Sequence, residues 1–182
     1  MMISCKQQNT NTPTDIPAES VFQLNSVWKT EENKEIVLSD LKGKVIVMVM
    51  IYTSCKAACP RLVADMKNIE KQIPPSKIKG VQLVLVSIDP ENDTPEHLKA
   101  FAIENQMDEL QWTFLQGNTQ TVQELANVLS VKYKQIAPMD FSHSNIISVF
   151  SPDGTLVSQQ EGLGVNNKAT VDAILQTLKD KS

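Results

Sequence analysis

Between residues 45 and 52 the chain reads V-I-V-M-V-M-I-Y, so Val45, Val47, Val49 and Ile51 alternate with Ile46, Met48, Met50 and Tyr52 and both faces of an extended segment are apolar. That is the pattern of a central strand covered on each side. The run is about half the ~20 residues that a membrane-spanning helix requires. Met48 and Met50 therefore read as core filler. V-Q-L-V-L-V-S-I at 81–88 predicts a second buried strand. Between the two, Leu62, Met66, Ile69 and Ile73 recur at helical spacing until Pro74 and Pro75 stop the helix. Thr94, Pro95 and Glu96 open another helix, with the threonine as N-cap and the proline at the first helical position.

W-T-F-L at 112–115 predicts a short strand, and 118–129 a helix capped by Asn118 or Thr119. S-N-I-I-S-V-F at 144–150 and T-L-V-S-Q at 155–159, joined by the turn S-P-D-G, predict a hairpin. A last amphipathic helix runs through Val171, Ile174, Leu175 and Leu178. Ahead of all these, 21–28 and 35–38, joined by T-E-E-N-K, predict a leading hairpin. Strand and helix alternate and a hairpin follows. This order predicts an α/β fold, a central mixed sheet flanked by helices with an N-terminal β-hairpin. Residues 1–20, polar after Cys5 and without strand or helix pattern, read as a flexible N-terminal tether, and 21–182 as one domain.

Charge narrows the choice of partners. With 17 basic and 21 acidic residues the formal charge is −4, and no basic cluster stands ready to neutralise phosphates. Nucleic acid is excluded as a partner on that ground.

The three cysteines, at 5, 55 and 59, are too few for a disulfide scaffold and enough for one functional pair and one outlier. Cys55 follows the first buried strand and Cys59 sits near the first turn of the next helix, where open α/β sheets hold ligands. Residues four apart on a helix have Cα atoms about 6 Å apart, within the range a disulfide tolerates. The same spacing lets both sulfurs reach one metal ion. A helix N-terminus favours the thiolate, which is both nucleophile and ligand, and Pro60 suits a first helical turn. Three readings stay open for the pair: a redox couple, part of a metal site, or inert buried thiols.

T-S-C-K-A-A-C-P, followed by S-I-D-P-E-N-D-T-P-E and then by the histidine of D-F-S-H-S-N-I-I-S-V-F-S-P-D-G, resembles the SCO/SenC family of copper-binding proteins. The resemblance runs from about Val21 to the C-terminus. It implies a thioredoxin-like fold in which Cys55, Cys59 and His143 bind copper, as Cu(I) or Cu(II), and help mature the binuclear copper centre of cytochrome c oxidase. The implied partners are the oxidase's copper-binding subunit and a periplasmic copper donor. The chain departs from many members in having Ala57 and Ala58 between the cysteines and Ser142 before the histidine.

Two thiolates and an imidazole make a soft set suited to Cu(I), and an added oxygen ligand would suit Cu(II). Structural zinc sites use four protein ligands, and three are visible here. Asp89, ending the second buried strand, either supplies an oxygen or caps the D-P turn, and the turn is the favoured role. His143 is expected just before a strand of the same sheet. His97, at a helix start, reads as surface.

The leading function is copper metallochaperone. The alternative is a thiol–disulfide oxidoreductase in which Cys55 attacks and Cys59 resolves, acting on the oxidase subunit or other envelope proteins. Such reductases normally carry two residues between their cysteines and do not need His143. A peroxidase fits less well, with only Thr53 and Arg61 as candidates. I-S-C followed by a polar tether is similar to the cleavage end of a bacterial lipoprotein signal, with Cys5 acylated. That implies a periplasm-facing protein of the cell envelope, anchored to the membrane by lipid, and a stray thiol is the other reading of Cys5.

Overall fold

The computed structural model describes residues 16–55, 59–164 and 166–180; Cys5 and the rest of 1–15 lie outside them. The strands are β1 (Val27–Thr30), β2 (Glu35–Val37), β3 (Val45–Ile51), β4 (Val81–Ser87), β5 (Trp112–Gln116), β6 (Tyr133–Ala137), β7 (Asp140–His143), β8 (Ile146–Phe150) and β9 (Leu156–Glu161). The helices are α1 (Cys59–Gln72), α2 (Pro95–Glu104), α3 (Thr119–Val128) and α4 (Lys168–Lys179).

Seven strands form one sheet in the order β2-β1-β5-β4-β3-β8-β9. The β3–β4 and β4–β5 pairs are parallel, and β1 and β8 run antiparallel to their neighbours, so the sheet is mixed as expected. Every residue of β3 and β4 is buried, which explains why neither strand alternates with polar residues. Met48 and Met50 lie in this core.

Helix boundaries follow local chemistry. Leu62, Met66 and Ile69 form the buried stripe of α1, which ends before Pro74. Thr94 caps α2 by accepting the His97 amide, and Asn118 caps α3 by accepting that of Thr121. Helix α4 packs against α1 and on β3, β8 and β9.

Two segments differ from the pattern-based reading. The first half of the expected leading strand is a 3₁₀ turn, Val21–Gln23, because Ser20 accepts the Phe22 amide through its side chain. The Ser20 hydroxyl also donates to the Asp153 carbonyl at 2.6 Å, and the Val21 amide to the Gly154 carbonyl at 2.9 Å. Ser20 is buried and Ile16 packs against the core, so ordered packing reaches ahead of Val21. Gly154, at φ +84°, makes this possible: a Cβ there would strike the Ser20 hydroxyl and lie 2.7 Å from Phe22.

The second difference concerns His143. It precedes β8 of the main sheet as expected, but it does so as the last residue of β7 in a separate two-stranded hairpin that the pattern did not predict, where it pairs with Tyr133. Residues Lys134 through Asp140 of this hairpin are exposed. No alternation of apolar and polar residues announces it.

Candidate functional site

Strand β3 delivers its last side chains to the site. Tyr52 is buried directly after it, and the turn of Thr53 and Ser54 brings the chain to the half-buried Cys55, whose amide donates to the Tyr52 carbonyl at 3.3 Å. Cys59 opens α1, is 1% exposed, and donates its backbone N–H to the Cys55 sulfur at 3.4 Å. No disulfide joins the two. Burial pushes the Cys59 thiol far above its usual range, and the nearby charges of Cys55 and Asp93 push the same way. The expected thiolate bias of a helix N-terminus is therefore overridden at Cys59, which stays a thiol at neutral pH.

The turn is held from below by Asp93, a residue that pattern reading passed over. Its carboxylate is 1% exposed and accepts the Thr53 amide at 3.1 Å, the Thr53 hydroxyl and the Ser87 hydroxyl at 2.6 Å. Its signal in the sequence was the second aspartate of D-P-E-N-D. Asp89 has the turn role: its carboxylate accepts both bonds of the Asn92 amide group at 2.9 Å, and its carbonyl accepts the Asn92 and Asp93 amides. His97 is half exposed, with Nδ1 3.1 Å from the Asn92 carbonyl.

His143 approaches from the β6–β7 hairpin. Its Nδ1 lies 3.1 Å from the Ser144 carbonyl. A carbonyl only accepts, so Nδ1 carries the proton and Nε2 presents a lone pair. That Nε2 is buried and has no hydrogen-bond partner. Burial lowers the pKa of the ring and keeps it neutral, while the Ser144 bond opposes this. A neutral imidazole fixed through Nδ1 with a bare Nε2 is the usual state of a histidine prepared for a metal.

Tyr52 stands between the two halves. Its ring lies 5.8 Å from that of His143, edge-on at 77°, and 5.2 Å from Phe141. Its hydroxyl sits 2.9 Å from Asp140 Oδ1 and 3.1 Å from the Phe141 carbonyl, both acceptors on the hairpin. Burial raises the phenol's pKa, and hydrogen bonding with the Cys55 side chain adds to the rise. The Ser54 hydroxyl donates to the Met139 carbonyl at 3.1 Å. Beside His143 opens a polar cleft of about 460 Å³ that reaches Asn145 and Glu161.

The structure thus puts Cys55 and Cys59 in contact and sets His143 one tyrosine ring away. Among the described residues no three His, Cys, Asp or Glu side chains lie close enough to share an ion. Thr53 is committed to Asp93, and the Arg61 guanidinium lies by Gly164, so the peroxidase pair is not assembled.

The family model of SCO1/SenC matches residues 19–179. The SCO1 protein homolog of Bacillus subtilis (strain 168) is 26% identical over 184 residues, spanning 100% of this chain and 91% of that protein. Among solved structures, Arabidopsis thaliana ScoI with copper bound superposes with a TM-score of 0.72 at 19% identity, over 85% of this chain and 96% of that one. BsSco, a member of the Sco family of cytochrome c oxidase assembly proteins in which a disulfide switch has been identified, gives 0.72 at 24% identity over 94% and 99%. The fold is the thioredoxin-like fold of Sco proteins. With nearly its whole length matched by the family model and the cysteine pair and histidine arriving in order at one end of the sheet, the chain belongs to the SCO1/SenC family.

Proposed function

We propose that this protein is a copper metallochaperone that carries copper on Cys55, Cys59 and His143 and assists assembly of the binuclear copper centre of cytochrome c oxidase. One observation carries the reading: the buried, partnerless Nε2 of His143, held as a lone-pair donor one tyrosine ring away from the Cys55–Cys59 pair. Leaving such a nitrogen unsatisfied costs free energy that a bound metal recovers. The copper-bound Arabidopsis neighbour and the oxidase-assembly role of BsSco support the choice of metal and of client. Two sulfurs and one nitrogen are soft enough to hold Cu(I), and few enough to give it up to a partner site.

Copper is the cargo, delivered by a periplasmic donor and passed to the oxidase's copper-binding subunit. The N-terminal Cys5, followed by a polar segment, supports lipid attachment to the membrane on the periplasmic side. No helix among the described residues is long and apolar enough to cross a membrane.

A second reading rests on the Cys59 amide bound to the Cys55 sulfur, which places one thiol to attack and the other to resolve. In that chemistry the Cys55 thiolate attacks a client disulfide and expels one client thiolate. Cys59 then loses its proton, attacks Cys55 and releases the second client thiolate. The chain ends oxidised and the client has gained two electrons.

Anaerobic titration of the reduced protein with Cu(I) and Cu(II), wild type against His143→Ala, tests the copper reading. One copper per chain is expected, with the Cu(II) site losing more than the Cu(I) site, because two thiolates alone can hold Cu(I) in a linear arrangement. Equal and negligible losses would remove His143 from the set. Cells carrying His143→Ala should assemble little active oxidase at limiting copper and recover partly when copper is added. Normal oxidase in His143→Ala cells at limiting copper, lost only in Cys55→Ser cells, would give thiol exchange the main role.

A further inference from the structure

Tyr52 touches both halves of the site through one small group. It sits at the end of β3, 3% exposed, with its hydroxyl 2.9 Å from Asp140 Oδ1 and 3.1 Å from the Phe141 carbonyl, and with the Cys55 side chain in hydrogen-bonding range. Asp140 and Phe141 precede His143 on the same strand. Among the described residues, the outer part of this hairpin is exposed and β6 and β7 pair with each other and not with the main sheet. Among the described residues of the turn, the Ser54 hydroxyl adds a second hydrogen bond to the hairpin, on the Met139 carbonyl. A buried phenol bonded to a carboxylate is a strong link, about twice a neutral hydrogen bond.

We propose that Tyr52 is a positioning residue whose hydroxyl latches the β6–β7 hairpin to the cysteine turn and so sets how far His143 must travel to meet the two thiols. The proposal rests on the copper reading above for its consequence, and on the metal-free protein for its geometry. Without the latch, ordering the hairpin falls to the binding step, and affinity drops by that ordering cost. The thiols keep their own mutual contact, so a metal form that needs only sulfur is spared.

The test is Tyr52→Phe, which deletes the hydroxyl and keeps the ring against His143 and Phe141. In the metal-free protein, amides of residues 133–143 should exchange with solvent about tenfold faster, as expected for one lost hydrogen bond, while β3 and β4 keep their protection. Cu(II) affinity should fall about tenfold and Cu(I) affinity by much less. In a His143→Ala background the same change should cost no further Cu(II) affinity, which a general loss of structure would not reproduce. Asp140→Asn, which keeps an acceptor oxygen, should lose less than Asp140→Ala.

Unchanged hairpin exchange in Tyr52→Phe overturns the latch. So does an equal Cu(II) loss with and without His143. If the wild-type protein binds no copper, the copper reading falls by itself, and the exchange experiment alone then decides the latch: faster hairpin exchange upholds it and retained protection removes it.

Discussion

The backbone N–H of Cys59 points at the sulfur of Cys55, 3.4 Å away, so the half-buried cysteine is held by the amide of the other, which is itself fully buried. The contact makes the pair unequal. An alkylating reagent should therefore modify Cys55 first, at a rate at least about ten times that of Cys59, since both access and thiolate fraction govern the reaction. Peptide mass spectrometry over a time course of iodoacetamide treatment measures it, and equal rates would contradict the assigned asymmetry.

Because burial keeps Cys59 protonated, loading the site must eject its proton. Copper affinity is expected to rise with pH across the neutral range, with at least about one proton released per copper. Calorimetric titrations in buffers of different ionisation heat count the protons directly, and a pH-independent affinity would be inconsistent with a buried thiol in the ligand set.

His143 has its pKa lowered in the folded, metal-free protein by burial. Between that lowered value and the unfolded value near 6.5 the unfolded chain binds more protons, so folding stability rises with pH in this window. The contribution is complete above the unfolded value and is lost as pH falls through the folded one. Urea melts from pH 7 down to pH 5 should show the slope, and His143→Gln should flatten it.

Asp93→Ala strips acceptors from the Thr53 amide, the Thr53 hydroxyl and the Ser87 hydroxyl at a buried position. The expected destabilisation is about 2–3 kcal/mol, read as a fall in urea midpoint with an unchanged slope. Faster exchange at Thr53 should accompany it. A variant as stable as the wild type would mean that the turn is held by something else.

Gly154→Ala combines a left-handed backbone with a clash against Ser20 and Phe22. A loss of about 2 kcal/mol is expected, with exchange rising first in Ser20–Phe22 and not at Cys55. Thermal unfolding and exchange mass spectrometry together check both parts.

What could be read in the chain followed burial. β3 and β4 declared themselves because every residue in them is covered, leaving uninterrupted apolar runs. Helix starts at Thr94 and Asn118 carried their own capping side chains. The β6–β7 hairpin carried no such mark, since its outer residues face solvent and its ties to the cysteine turn come from Tyr52 and Ser54, more than eighty positions away in the chain. His143 was therefore legible as a motif residue and not as a strand end. Asp93 was hidden for a related reason: its three acceptor bonds go to Thr53 and Ser87, and the local sequence speaks only of a helix start. The thiolate bias at Cys59 failed because position along a helix says nothing about how deeply the sulfur is covered.

The seating of Ser20 on the Asp153–Gly154 turn gives the domain a direction. That turn follows β8, whose Phe150 pairs with Ile46 at the start of β3, whereas Cys55 lies just past the end of β3. At about 3.3 Å per residue a strand of this length separates the two ends by roughly 20 Å. The leading segment thus joins the fold at the pole opposite the thiols. Were the chain moored through that segment, its weight of contacts would hang the cysteine end outward, away from the mooring, and a client would meet copper and sulfur without first passing the leash.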